Sequence, residues 1–301
     1  MKNYLAVDIG GTNIKWGVVS EEGQILKKGK FPTPHQANAT VEDLVSKLKE
    51  VAQELKKEFE LAGIAISAPG AVNNTSGYID GASALPYIHG PHIRNLVEEA
   101  TGLSMHMEND ANCAALAEVW KGSASDVDDA LFVVIGTGVG GAVIKDRMLH
   151  TGKNLMAGEF GYLVFESDFE KGNFPNFSKL GSTASIIARV EEAKGLEHGT
   201  LTGEKVFEMA EQGDEDAIAS VEKFYRTVAL GIFNLQHTYD PAKVVIGGAI
   251  SARGDIVERI DEKLQYIVNN YDIKSLMPKV VKCTFEGDAN LLGAVYNFMV
   301  Q

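Results

Sequence analysis

With 301 residues, 45% of them hydrophobic and 23% charged, the chain is long enough for two ordinary globular domains. A formal net charge of −13 argues against the basic face that nucleic-acid binding demands, and no apolar run approaches membrane-spanning length. Cys113 and Cys283 stand far apart in apolar contexts, which predicts buried thiols in a reducing compartment and no disulfide framework.

The chain opens on Leu5-Ala6-Val7-Asp8-Ile9-Gly10-Gly11-Thr12, an apolar run closed by an acid and two glycines. Alternation resumes at Ile14, Trp16 and Val18, so the pattern is strand, tight turn, strand. Glycines there let backbone N–H groups converge on phosphate oxygens, Thr12 adds a hydroxyl, and Asp8 stands where it can hold hydrated Mg²⁺. Read alone, the segment is equally an ordinary hairpin. The start runs straight into this strand without a basic region and apolar core, so no signal peptide is expected and the location read is cytoplasmic.

Apolar residues at helical spacing predict a helix over 41–59, with Thr40 and Asp43 as a capping pair. Residues 62–67 read as a buried strand ended by Ala68-Pro69-Gly70. A short helix over 93–101 and a strand over 103–107 follow, leading into Glu108-Asn109-Asp110-Ala111 and an Ala-rich helix over 112–120. In open α/β folds ligands bind at the carboxyl ends of strands, which singles out Asn109 and Asp110. The helix N-terminus favours the ionised form of Asp110. Asn and Asp are also ordinary N-caps, and one of the pair can cap while the other faces substrate. His89 and His92 fall in a Pro/Gly loop and read as surface; Met105 and Met107 read as core.

A second strand–turn–strand, Ala130 to Lys145, carries Gly136-Thr137-Gly138-Val139-Gly140-Gly141 at its turn. Gly-x-Gly-x-x-Gly is absent and the loop joins two strands, so this is neither a Rossmann nor a Walker pattern. Gly158-Glu159-Phe160-Gly161-Tyr162 sets an acid between glycines, and 168–179 is polar and irregular. Helices are expected over 183–193, 203–212, about 214–239 (closed by Asp240-Pro241), 256–268 and 290–299. Strands are expected over 243–246 and 280–285, the first leading into the Gly247-Gly248 turn. Alternating strands and helices define an α/β chain with mixed sheets.

Asp8-x-Gly-Gly-Thr12, Glu108-Asn-Asp-Ala111, Gly136-Thr-Gly-x-Gly-Gly141, Gly158-Glu-x-Gly161, Gly247-Gly-x-Ile-Ser251 and Asp288-Ala-Asn-Leu-Leu-Gly-Ala294 span nearly the whole chain. In that order they resemble the ROK sugar kinases. The resemblance implies a two-domain actin/hexokinase-like (ribonuclease H-like) fold with an interdomain cleft that closes on sugar and excludes water. We expect a smaller domain over 1–112 rejoined by 288–301, and a larger one over 113–287.

The resemblance also implies roles. Asp110 is the general base on a sugar hydroxyl attacking the γ-phosphate of ATP. Asn109, Glu159, Gly70 and Tyr162 line the sugar site. Gly10, Gly11, Thr12, Thr137 and Gly138 hold phosphates, Lys15 either reaches a phosphate or is an exposed strand lysine, Asp8 holds Mg²⁺, and Gly247 and Gly248 lie near the adenosine. Many members carry a histidine and a cysteine-rich zinc loop where this chain has Tyr162 and Phe174-Pro175-Asn176-Phe177-Ser178-Lys179. With no such ligands, no zinc is expected. The glutamate that closes that loop is also missing, Ser178 or Lys179 standing near its place. Members lacking the zinc loop include β-glucoside kinases, so the substrate read is glucose or the non-reducing glucose of a β-glucoside, phosphorylated at its 6-hydroxyl. Alternatives are another hexose (N-acetylmannosamine, fructose) or a non-catalytic sugar/ATP-binding regulator. Only seven residues precede Asp8, too few for a repressor's DNA-binding module. Dimers are common in the family, and the sequence does not show one.

Overall fold

The computed structural model describes residues 1–34, 38–81, 83, 85–271, 273, 276–285 and 287–301. The chain divides into two compact units. The first holds Met1–Ser125, Gly152–Met156 and Thr284–Gln301; the second holds Asp126–Thr151 and Ala157–Cys283.

In the first unit, β1 (Asn3–Ile9), β2 (Asn13–Ser20) and β3 (Ile25–Pro32) form an antiparallel meander. To it are added, in parallel, β4 (Leu61–Ala68) and β7 (Met105–Asn109), giving the order β3-β2-β1-β4-β7. A separate hairpin, β5 (Ala71–Asn73) with β6 (Tyr78–Asp80), lies between β4 and β7 in the chain. One face of the sheet is covered by α1 (Val41–Leu55) and α2 (Ile93–Thr101), which bury Leu44, Leu48, Val97 and the strand residues Leu5, Val7 and Ile64. Tyr4, Ala6 and Ala65 on the same sheet pack instead with α3 (Asp110–Lys121) and α9 (Ala289–Val300). A Cβ on Gly293 would stand 1.6 Å from the Cys113 carbonyl oxygen, so glycine is what lets these two helices meet. The first unit therefore keeps all of α3, beyond the expected limit at 112.

The second unit repeats the scheme. Strands β8 (Ala130–Ile135), β9 (Val139–Lys145) and β10 (Met148–Leu149) are antiparallel. With β11 (Lys243–Gly247) and β12 (Val280–Lys282) added in parallel, the order is β10-β9-β8-β11-β12. Its core is filled by α4 (Phe177–Gly181), α5 (Thr183–Lys194), α6 (Gly203–Glu211), α7 (Glu215–Tyr239) and α8 (Ile256–Tyr271), through Phe177, Ile186, Phe207, Phe224 and Leu264. Among the described residues no helix is long and apolar enough to cross a membrane.

Three expectations change. The helix from Val41 stops at Leu55, and Lys56 to Phe59 wind on as a turn, with the Phe59 N–H donating to the Leu55 carbonyl at 2.9 Å. The 168–179 stretch is ordered: it closes a narrow hairpin and begins α4. The strand from Val280 ends at Lys282, because the Thr284 and Phe285 N–H groups turn to Glu118 (2.8 and 2.7 Å) instead of continuing the ladder. Cys113 is buried as read from the sequence, whereas Cys283 is only half-buried, beside Gly247.

Candidate active site

On the first unit, functional groups gather at the carboxyl ends of β1, β4 and β7. Asp8, near the end of β1, accepts on Oδ1 from Ser67 Oγ of β4 (3.0 Å) and Asn290 Nδ2 of α9 (2.9 Å). Among the described residues no hydrogen bond reaches its Oδ2. The turn after β1 is a tight one: a Cβ on Gly10 would sit 2.7 Å from the Asn13 carbonyl oxygen. It is fastened by Thr33, whose hydroxyl donates to the Gly10 carbonyl (2.6 Å) and whose N–H donates to Thr12 O (3.0 Å). Gly11 and Thr12 are left open to solvent. Lys15 directs its ammonium to the Gly287 carbonyl oxygen at 3.3 Å.

Strand β7 runs two residues past its expected end, so Asn109 is the N-cap of α3. Its Oδ1 accepts from Ala111 N (2.9 Å) and Asn112 N (3.3 Å), and its Nδ2 donates to the Gly70 carbonyl (3.0 Å). The alternative left open by the sequence resolves here: Asn109 caps and ties down the Gly70 turn, keeping one amide hydrogen. Gly70 has φ +102°, and a Cβ would press within 2.9 Å of Ile79 and 3.1 Å of His89. His89 is not a surface residue. It is half-buried beneath this turn, bonded to Ser83 Oγ at 2.8 Å. His92 is half-buried too, and its ring caps α2.

Asp110 begins α3, with Oδ1 accepting from the Ala111 N–H at 2.8 Å. Its side chain keeps solvent contact. Even so, desolvation dominates and raises its carboxyl above the usual Asp range, with the Asp8 charge adding to the rise. The Ala111 and Asn109 donors pull the other way. The helix N-terminus does not prevail, which corrects the expectation of a simply favoured ionised form. Burial likewise raises Glu108, against hydrogen bonds from Asn112 and the Asn109 N–H, and pushes the Cys113 thiol well up.

On the second unit, Thr137 and Gly138 stand exposed at the β8–β9 turn. Two residues that the sequence did not assign to this turn hold it. Ser178 Oγ accepts from Val139 N (3.0 Å) and donates to Val139 O (3.2 Å); the Thr183 N–H donates to Gly136 O (2.9 Å). The two glycine motifs here are one packing unit. A Cβ on Gly158 or Gly161 would strike the carbonyls of Gly141 (2.8 Å) or Val139 (2.1 Å), and Phe160 is buried against Gly141. Glu159 and Tyr162 lie outward from that contact, Tyr162 68% exposed.

Gly248 (φ +83°) lies against the end of β8, where a Cβ would come within 2.2 Å of the Ile135 carbonyl oxygen. The residues that follow it, Ala249 and Ile250, line a cavity of 310 Å³ with Thr183, Gly203, Glu204, Phe207 and Arg253. The Arg253 guanidinium lies 3.9 Å over the Phe207 ring and pairs with Asp255 at 3.0 Å. The sequence signalled only the Gly247-Gly248 turn that leads into this wall; Glu204, Phe207 and Arg253 come from elements distant along the chain.

The family model described as ROK family matches residues 4–299, and the chain belongs to that family. The β-glucoside kinase of Listeria monocytogenes is similar, 33% identical over 98% of this chain and 96% of its own. A ROK family protein from Streptococcus pneumoniae, solved in complex with sucrose, has TM-score 0.89 at 36% identity and covers 99% of this chain and 98% of that one. A ROK family glucokinase from Streptomyces griseus, solved with glucose and AMPPNP, has TM-score 0.78 at 27% identity over 97% of both chains. With the two mixed sheets, these likenesses bear out the actin/hexokinase-like fold.

Thr33 supplies a first test of this geometry. Thr33→Val removes the side-chain donor to the Gly10 carbonyl, a loss of about 1–2 kcal/mol. Because the turn is exposed and carries the phosphate-type residues, we expect the KM for ATP to rise several-fold with little change in the KM for sugar. Steady-state kinetics against each substrate in turn reads this; equal rises in both would reject a local role for Thr33.

Proposed function

We propose that this chain is an ATP-dependent sugar kinase that phosphorylates the 6-hydroxyl of glucose or of the non-reducing glucose of a β-glucoside. The observation that carries the reading is Asp110: a solvent-reached carboxylate at a strand end, raised by desolvation and by Asp8, in a chain of the ROK family. In the proposed step Asp110 accepts the proton of the 6-hydroxyl as that oxygen bonds to the γ-phosphorus. The bond from phosphorus to the β,γ-bridging oxygen breaks, and ADP leaves. Phosphoryl transfer needs little covalent help from protein, so positioning and charge stabilisation supply most of the rate.

Glu159, Asn109, the Gly70 turn and Tyr162 are assigned to the sugar, Gly10, Gly11, Thr12, Lys15, Thr137 and Gly138 to the phosphates. Gly247, Gly248 and the cavity beside them are assigned to the nucleoside. Asp8 fits Mg²⁺: Ser67 and Asn290 orient one oxygen and leave the other for a hydrated cation. When bound, the ion neutralises charge on the transferring phosphoryl group. A cation held there would offset the Asp8 charge, which adds to the rise of the Asp110 carboxyl behind desolvation.

The β-glucoside reading rests on Tyr162 and on the similarity to a β-glucoside kinase. The test is ADP release from Mg-ATP with glucose, fructose, mannose, N-acetylmannosamine, cellobiose and gentiobiose. We expect stimulation by glucose and the β-linked disaccharides. Turnover of free hexoses alone would reject the glycoside part, and no stimulation by any sugar would reject the kinase reading.

A further inference from the structure

The segment after the Glu159 turn has a feature that phosphate transfer does not require. The 3-10 turn Phe160–Tyr162 runs directly into a hairpin over 163–177, closed by Phe177 N to Leu163 O (2.7 Å), Phe165 N to Pro175 O (3.1 Å) and paired bonds between Asp168 and Asn173. At its base Phe165 and Phe177 pack with ring centroids 5.1 Å apart. Phe177 is fully buried and wedged against Gly181 and Gly231, where a Cβ would meet its ring at 2.7 and 2.6 Å. The base is therefore locked in the core. The tip carries a second pair, Phe169 and Phe174, edge to face at 4.9 Å, with Phe169 84% and Phe174 39% exposed. A bare aromatic pair on a rigid support, continuous with the turn that bears Glu159 and the exposed Tyr162, is costly in water unless something covers it.

We propose that Phe169 and Phe174 form a stacking platform for the non-reacting part of a β-glucoside, its aglycone or second sugar; this rests on the kinase reading of the Glu159 site. The charge along the hairpin narrows the occupant's class. Glu166, Asp168 and Glu170 outnumber Lys171, which is already drawn to Asp168 at 3.7 Å. An anionic occupant is repelled there. A neutral glycoside is not: its ring C–H face lies on an aromatic face while its hydroxyls meet the carboxylates.

Phe169→Ala and Phe174→Ala are expected to raise the KM for phenyl β-glucoside and gentiobiose about three- to tenfold, with kcat and the KM for glucose unchanged. Phe169→Trp, which keeps an aromatic face, is expected to retain wild-type values. Equal shifts for glucose and glucosides, or no shift, overturn the platform. So does a change from dimer to monomer in the alanine variants without a selective rise in KM, which assigns the pair to contact between copies. Calorimetric titration with gentiobiose reads the platform without turnover. Selective binding that the alanine variants lose, without ADP release, overturns the kinase reading alone. Turnover without selective loss overturns the platform alone, and no gentiobiose binding by the wild-type chain also overturns it.

Discussion

Asp110→Asn is expected to lower kcat by about 10²–10⁴-fold, the usual contribution of a positioned general base, without lowering the melting temperature. Asparagine keeps the Oδ1 that accepts from the Ala111 N–H, so the start of α3 loses no hydrogen bond. What it removes is a carboxylate disfavoured by desolvation and by Asp8. A carboxyl raised on folding lowers stability where it is ionised, and that cost shrinks as the pH falls through its folded value and is gone below the unfolded one. The variant should therefore match or exceed the parent in stability at neutral pH, with the difference fading in acid. For catalysis the sign is opposite, because only the ionised form accepts a proton. The acid limb of kcat/KM should lie above the ordinary Asp value of 3.8. Equal kcat in the two proteins would remove Asp110 from the chemistry, and a large fall in melting temperature would make it a structural residue. Loss of function with stability kept is the pattern of a site held against its own preference.

Much of this site was legible because its parts are local. Glycines that must approach a neighbouring backbone announce themselves in sequence, as at Gly10, Gly158, Gly161 and Gly248, and each fell in a motif. The amphipathic helices were equally plain, since α1 and α2 bury one stripe each. What stayed hidden are partners that meet only after folding. Thr33 reaches the turn after β1, Ser178 pins the turn between β8 and β9, and Asn290 orients Asp8 from the far end of the chain. A lone threonine, serine or asparagine carries no periodicity, so nothing in its neighbourhood marks its target. Asn109 is intermediate: its residue type suggested a cap, but only the extra length of β7 decided between it and Asp110.

Glu118 is the largest such omission, and its removal is expected to have the largest effect on stability. It lies in the Ala-rich helix α3, where the sequence offers no reason to notice it, yet it is 0% exposed. Its Oε1 accepts from the N–H groups of Thr284 (2.8 Å) and Phe285 (2.7 Å). Its Oε2 accepts from the N–H (2.7 Å) and hydroxyl (2.9 Å) of Ser123. One carboxylate thus serves the stretch just before the first unit ends at Ser125 and the stretch where it resumes at Thr284. Glu118→Ala leaves these donors without their acceptor and opens a cavity, for a loss of about 3–4 kcal/mol. Glu118→Gln is expected to recover only part of it, since its amide N–H₂ confronts one pair of donors. The loss should fall on the first unit, because the core of the second is built from other residues. Calorimetry should show an early transition in Glu118→Ala with the later one little moved, and hydrogen exchange should rise first in β1, β4 and α3. A change below about 1 kcal/mol would mean that water replaces the carboxylate without penalty, and the tie between Ser123 and Thr284 would not be what holds the first unit together.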